Sequence, residues 1–273
     1  MKLKYLGTAA AEGQPGIFCR CALCLEASRR GGKDIRTRSQ ALVDNSLLID
    51  FPPDSYWHMV HHGVDLPNIR HVLVTHTHQD HFYPDEFYYR RRGFCRTEGL
   101  LTLYGNDALK KRMDSYLEVS GSSYAHSKLA CVELQPFARH DIDGFGVTPM
   151  LAAHDRSERC YIYLIESGGK RLLYGNDTGV FPEATWAHIK GKPFDLISLD
   201  CTHGREAEGS NHMGVPDLFE IRKRLEESGC VKENTRFVAT HFSHNGGLLH
   251  EQLEEALVPA GFSVAYDGME IEV

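Results

Sequence analysis

The stretch Thr75-His76-Thr77-His78-Gln79-Asp80-His81 places four potential metal ligands within six residues, directly after the apolar run Val72-Leu73-Val74. In an extended segment, residues two apart point to the same side, so His76 and His78 can grip one ion. Asp80 and His81, where the chain turns into the next segment, can then face a second. Imidazole and carboxylate suit zinc, manganese or iron alike. A chain that must present such a loop needs a rigid strand behind it, which points to an α/β fold with ligands carried at strand ends.

The rest of the chain supplies that framework. Strands are expected at Leu3 to Leu6, Ser39 to Val43, Ser46 to Asp50, His71 to Thr75, Leu101 to Tyr104 and Gly146 to Met150. Further strands follow at Cys160 to Ile165, Arg171 to Tyr174, Phe194 to Leu199, Arg236 to Thr240 and Ser263 to Tyr266. Helices are expected around Asp54 to His62, Asn106 to Glu118, Pro182 to Lys190, Val215 to Glu227 and Leu248 to Leu257. Val215, Leu218, Ile221 and Leu225 recur at amphipathic helical spacing. No Pro/Gly/Ser-rich linker or repeat divides the 273 residues, so one domain spanning 1–273 is expected, a layered α/β sandwich.

Three strand patterns lead into a further ligand type: Met150-Leu151-Ala152-Ala153 into His154, Leu172 to Asn176 into Asp177, and Phe237-Val238-Ala239-Thr240 into His241. A single strand-end histidine means little, but with the first motif in place the three together read as ligands. Cys19, Cys21 and Cys24 form a tight C-x-C-x-x-C cluster, whereas the other five cysteines are scattered singly. Such a cluster favours metal over disulfide, with a reactive thiol or redox centre as the alternative. The stretch Met1 to Gly7 is too short for a signal peptide, and no apolar run is long enough to cross a membrane. A cytoplasmic protein without membrane association is the expectation. The net charge of −7 argues against nucleic acid as the main partner, while a small phosphorylated substrate and a homodimer both remain compatible.

The H-x-H-x-D-H motif, followed in order by His154, Asp177 and His241, resembles the metallo-β-lactamase-fold hydrolases. The resemblance implies an αββα sandwich with a dinuclear site at one edge. It implies that His76, His78 and His154 hold one metal, that Asp80, His81 and His241 hold the other, and that Asp177 bridges them. A narrower resemblance rests on Gly7 to Pro15 leading into the cysteine cluster, on Asn211-His212, on Thr240-His241-Phe242-Ser243-His244 and on the closing Asp267-Gly268-Met269-Glu270-Ile271. These features are similar to the PhnP-type phosphodiesterases, which open a five-membered cyclic phosphate on ribose. That subfamily implies a structural zinc held by Cys19, Cys21, Cys24 and His244, with the zinc-binding loop at about residues 8–26. Three thiolates and one imidazole make a closed tetrahedral set, which contributes to folding rather than to catalysis.

The expected chemistry is opening of a small cyclic phosphodiester with two divalent metals, manganese or zinc, in the active site and one structural zinc. Two such ions can share a hydroxide and clamp phosphoryl oxygens during in-line attack. Asp80 is expected to hold an ion and orient the attacking hydroxide, and His212 to serve as general acid from its Gly/Ser/Asn loop. Other hydrolyses (of an ester, lactone, thioester or β-lactam) and a non-hydrolytic role like that of the PqqB branch are the alternatives. The segment Phe82 to Arg92 departs from the phosphonate-pathway pattern: Arg90, Arg91 and Arg92 read as a phosphate clamp or a solvated helix face, and Tyr83, Tyr88 and Tyr89 as pocket wall or core.

Overall fold

The computed structural model describes residues 1–273. In chain order, the first sheet takes β1 (Lys2–Gly7), β2 (Gln40–Val43), β3 (Leu47–Ile49), β4 (His71–Leu73), β5 (Leu101–Gly105) and β6 (Leu129–Glu133). The second takes β7 (His140–Ile142), β8 (Phe145–Leu151), β9 (Tyr161–Ser167), β10 (Lys170–Gly175), β11 (Leu196–Asp200), β12 (Arg236–Thr240) and β13 (Phe262–Val264). The last strand, β14 (Glu270–Glu272), returns to the first sheet beside β1, so each sheet has seven strands in the orders β14-β1-β2-β3-β4-β5-β6 and β13-β12-β11-β10-β9-β8-β7. The helices are α1 (Ala22–Arg30), α2 (Ser55–His62), α3 (Asp107–Val119), α4 (Tyr124–Ser127), α5 (Glu183–Ile189), α6 (Val215–Glu227) and α7 (His250–Leu257).

The two-residue side-chain period of the strands builds the layers. Leu47, Ile49 and Leu73 of the first sheet meet Leu172, Tyr174, Leu196 and Val238 of the second in a cluster between the sheets. Their immediate neighbours point the other way. Leu173, Ile197, Leu199, Phe237 and Ala239 pack outward against Trp186 and Ile189 of α5, Leu218, Ile221 and Leu225 of α6, and Leu253 and Leu257 of α7. Leu48, Val72 and Val74 pack outward against Leu109, Met113 and Leu117 of α3. Three apolar clusters separate four layers, and the expected αββα sandwich is the observed fold.

Strand direction then positions the site. β3 to β6 are mutually parallel, as are β10 to β13. β8 runs with β10, because both are antiparallel to β9. The carboxyl ends of β4, β8, β10 and β12 therefore deliver His76, His154, Asp177 and His241 to one edge, where open α/β sheets commonly bind ligands.

The expected elements are present with shifted ends. Helix α6 and strand β12 match their expected spans. Ser39 and Cys160 precede their strands rather than starting them, Phe194 precedes β11, and β13 ends at Val264 rather than Tyr266. Strands β6, β7 and β14 lie outside the expected set; all three are short edge strands, and mixed polarity such as Glu270-Ile271-Glu272 hides them. The expected loop over 8–26 ends earlier, because α1 begins at Ala22 and carries Cys24 in its first turn. Pro84–Arg90 is a 3₁₀ helix, and Arg90 is not a solvated helix residue: its guanidinium donates to the carbonyls of Gly99 at 2.9 Å and Ser127 at 3.2 Å. No helix is long and apolar enough to cross a membrane.

Candidate metal centre

Seven side chains converge at the sheet edge. His76, His78, His154 and Asp177 bring one ligand atom each within 4.8 Å of one another, and Asp80, His81, Asp177 and His241 do the same. Asp177 belongs to both groups. Its Oδ2 lies 3.2 Å from His76 Nε2 and 3.0 Å from His81 Nε2, and its Oδ1 lies 3.3 Å from His154 Nδ1. The residues expected to hold two ions are thus one constellation, with Asp177 at its centre.

Each imidazole keeps one nitrogen for the cluster and gives the other to a protein oxygen. His81 Nδ1 sits 2.7 Å from Asp50 Oδ2, and His76 Nδ1 sits 3.1 Å from Thr75 Oγ1. His241 Nδ1 lies 2.8 Å from Thr202 Oγ1 and 3.2 Å from Asp200 Oδ2. His78 Nε2 lies 3.0 Å from Asp155 Oδ2, and His154 Nδ1 lies 3.2 Å from the Asn211 carbonyl. Such outer partners fix the ring and its tautomer and make the free nitrogen a better donor to a metal. The motif's backbone is held as well, since Thr77 donates through both N–H and Oγ1 to Glu158 Oε1 at 3.0 and 2.9 Å.

Asp50 and Asp200 escaped the sequence reading, although the same signal was available for both. Asp50 follows Leu47-Leu48-Ile49 and Asp200 ends Leu196-Ile197-Ser198-Leu199, so each is a strand-end acid like Asp177. Asp50 (φ 64°), Asp177 (φ 55°) and His241 (φ 61°) all adopt left-handed backbone conformations. For residues with a side chain this conformation is costly and concentrates at functional sites.

The electrostatics suit cations. Burial alone would push Asp177 up, but His241, His212, His76 and His81 around it hold it well below the usual carboxylate range. Burial likewise opposes a charge on His81, yet Asp80, Asp50 and Asp177 together raise it well above an ordinary imidazole. A divalent cation would meet the same carboxylates and displace that proton. Two fully enclosed atoms, His76 Nε2 and Asp177 Oδ1, have no hydrogen-bond partner in the protein. Buried polar atoms are rarely left so, and both orphans aim into the cluster, so the donor set fits metal ions.

His212 comes to the same place from the loop before α6. Its Nδ1 lies 3.1 Å from Asp177 Oδ1 and 3.1 Å from Asp200 Oδ2, and only the Asp200 contact has hydrogen-bond geometry. Burial pushes this imidazole down, but the two carboxylates more than offset it and raise it to about 10. Nε2 makes no hydrogen bond to the protein. A cavity of ≈ 370 Å³ opens over the cluster, lined by His78, Asp80, His154, Asp177, His212 and His241 together with Glu12, His203, Asn211, Ser243 and Asn245. Tyr83, Tyr88, Tyr89 and Arg90 to Arg92 do not line it, so the aromatic and basic segment is not a phosphate clamp for this cavity. Tyr89 and Arg90 instead border a separate, mainly apolar pocket beside α2.

A second cluster lies next to the first. Cys19, Cys21, Cys24 and His244 bring their ligand atoms within 4.8 Å of one another, with Cys21 Sγ 3.6 Å and Cys19 Sγ 3.8 Å from His244 Nδ1. Backbone amides cradle the sulfurs: Gly16 N–H donates to Cys24 Sγ at 3.2 Å and Cys24 N–H to Cys21 Sγ at 3.4 Å. The latter contact at the start of α1 draws Cys21 down to about 6, while burial pushes Cys24 up to about 12. Gly16 is required here, since a Cβ would come within 2.8 Å of the His244 ring. The donor set fits a tetrahedral zinc.

Comparison with known proteins agrees with this architecture. Residues 45–242 match the family model of the β-lactamase superfamily domain. A ribonuclease Z of Staphylococcus saprophyticus is 23% identical over 155 residues, covering 56% of this chain and 46% of that one. The chain spans about half the length of the curated relatives it matches. Among solved structures, a diphosphatase of the PhnP family superposes with a TM-score of 0.76 at 23% identity, covering 100% of this chain and 96% of the other. Zinc-bound PqqB from Methylobacterium extorquens superposes with a TM-score of 0.75 at 22% identity, covering both chains fully at 100%.

Proposed function

This chain belongs to the β-lactamase superfamily, and we propose that within it the protein is a dinuclear metal-dependent hydrolase that opens a small cyclic phosphodiester, the phosphate being carried on a sugar. The observation that carries this reading is the convergence of His76, His78, His154, Asp80, His81 and His241 on Asp177, with the far side of every ring pinned. His76, His78 and His154 would hold one divalent ion, manganese or zinc, and Asp80, His81 and His241 the other, with Asp177 between them. When bound, such ions would lower the pKa of a nearby water and offset the negative charge of the phosphoryl oxygens.

The protein's own groups account for the remaining steps. Asp80 orients the attacking water from its place on the cavity wall. As the new P–O bond forms and the bond to the sugar oxygen breaks, that oxygen needs a proton. His212 supplies it through Nε2, because Nδ1 is committed to Asp200 and Nε2 makes no hydrogen bond to the protein. Of the residues lining the cavity only Ala10 and Ala11 are apolar, which disfavours an acyl chain and with it the ester, lactone and thioester readings. A non-hydrolytic role is disfavoured by the complete ligand set. Cys19, Cys21, Cys24 and His244 would hold a structural zinc that ties the N-terminal loop to the loop after β12.

The test is turnover of ribose 1,2-cyclic phosphate beside a lactone and a thioester, with manganese or zinc supplied. Opening of the cyclic phosphate with little or no acyl hydrolysis is expected. Acyl hydrolysis without phosphodiesterase activity would overturn the substrate class.

A further inference from the structure

Part of the cavity wall takes no part in the chemistry above. Glu12 comes from the N-terminal loop, and Ser243 and Asn245 come from the loop after β12; all three line the cavity. The two loops are joined before any substrate arrives. Ala10 N–H donates to the Phe242 carbonyl at 2.9 Å, Ser243 Oγ donates to Glu12 Oε1, and Glu12 Oε1 lies 3.5 Å from His244 Nε2. Both Glu12 contacts use Oε1, so Oε2 takes part in neither. The side chain is 26% exposed and is therefore reachable from the cavity. Asn245 uses its backbone N–H on Ser243 Oγ at 3.0 Å, and its side-chain amide makes no hydrogen bond to the protein.

The remaining lining narrows what this wall can hold. Its only aromatic groups are imidazoles, and it contains no Lys or Arg to receive a second phosphate. A carboxylate at the rim would repel a second anionic group. What it can take is a hydroxyl donor. We infer that Glu12 is a substrate-binding residue that accepts a hydrogen bond through Oε2 from a free hydroxyl of the sugar or polyol bearing the phosphodiester. It thereby selects small hydroxylated diesters over diesters that lack a free hydroxyl. The inference rests on the phosphodiesterase reading and adds to it the part of the substrate away from phosphorus. It also gives the cysteine cluster a second consequence: by holding His244, it fixes the carboxylate that reads the substrate.

The experiment compares two five-membered cyclic diesters, ribose 1,2-cyclic phosphate, which carries free hydroxyls, and propane-1,2-diol cyclic phosphate, which carries none. Both are assayed with the wild-type holoenzyme and with Glu12→Gln, which keeps an acceptor for Ser243, and bound metals are counted on each sample. A hydrogen bond to a charged acceptor is worth about ten- to hundredfold in affinity. Accordingly, Glu12→Gln is expected to lower kcat/KM for the ribose diester about tenfold or more beyond its effect on the propanediol diester, chiefly through KM and at constant metal content. Glu12→Ala should widen that ratio. An equal loss on both diesters, or a loss of bound zinc, would make Glu12 a brace for His244 and overturn the inference, as would no loss on either. In those cases wild-type turnover keeps the phosphodiesterase reading standing. No wild-type turnover of either diester overturns that reading, and the inference with it.

Discussion

The two clusters are neighbours on the chain's last loops yet are built in opposite ways. The His/Asp centre collects its ligands from the carboxyl ends of strands in both sheets, and six of its seven residues are largely or fully enclosed at the side chain. The cysteine cluster draws on one loop, the first turn of α1 and the short helix at His244–Gly246, and Cys21 is exposed. In the first, every imidazole has an outer partner and five of the seven residues line a cavity; in the second, four donors close on one another with backbone amides as the supporting shell. Under the proposed function, the difference separates their roles. An open cavity-facing set can act on a substrate, whereas a closed set can only hold chain segments together.

The contrast can be broken most directly at Asp177. Asp177→Ala removes the one residue common to both groups and should abolish dinuclear binding, with activity falling about a thousandfold or more; metal counting with kinetics checks this, and a lone cysteine-bound ion should survive. His212→Ala comes next. It should cut kcat about 10²–10⁴-fold with all metals retained, and full metal content with unimpaired turnover would remove its role as the acid. Asp50→Asn and Asp200→Asn should each cost about 10–100-fold in metal affinity or activity, read by titrating activity against added manganese. Cys21→Ser is expected to have the smallest effect on kcat while losing one zinc and lowering the melting temperature by several degrees. A chelator sharpens the same division: brief treatment should strip the His/Asp centre, with activity restored by manganese or zinc, before it strips the cysteine cluster.

How much of this was legible in the sequence follows from how local each signal is. His76 to His81 sit together on one loop, and α6 announces itself through Val215, Leu218, Ile221 and Leu225. The layers were legible too, because Leu47, Ile49 and Leu73 alternate with Leu48 and Val72 at the strand period. The outer partners were not, since Asp50 meets His81 across 31 residues and Asp155 meets His78 across 77. Nothing in one chain's spacing reports such pairings before strand order is known. α1 was hidden because its first turn carries cysteine spacing that reads as a metal loop, and Cys21 both caps the helix and belongs to the cluster. Arg90 misled for a related reason: its three-arginine run looks like a solvated face, but the carbonyls of Gly99 and Ser127 claim the first of them.

The most direct test of the central claim is metal counting on the purified protein while it hydrolyses ribose 1,2-cyclic phosphate. The account predicts about three bound ions per chain, two of them exchangeable and required for turnover. Turnover undiminished after both exchangeable ions are removed, or a fully loaded His/Asp centre with no phosphodiesterase activity, would contradict it.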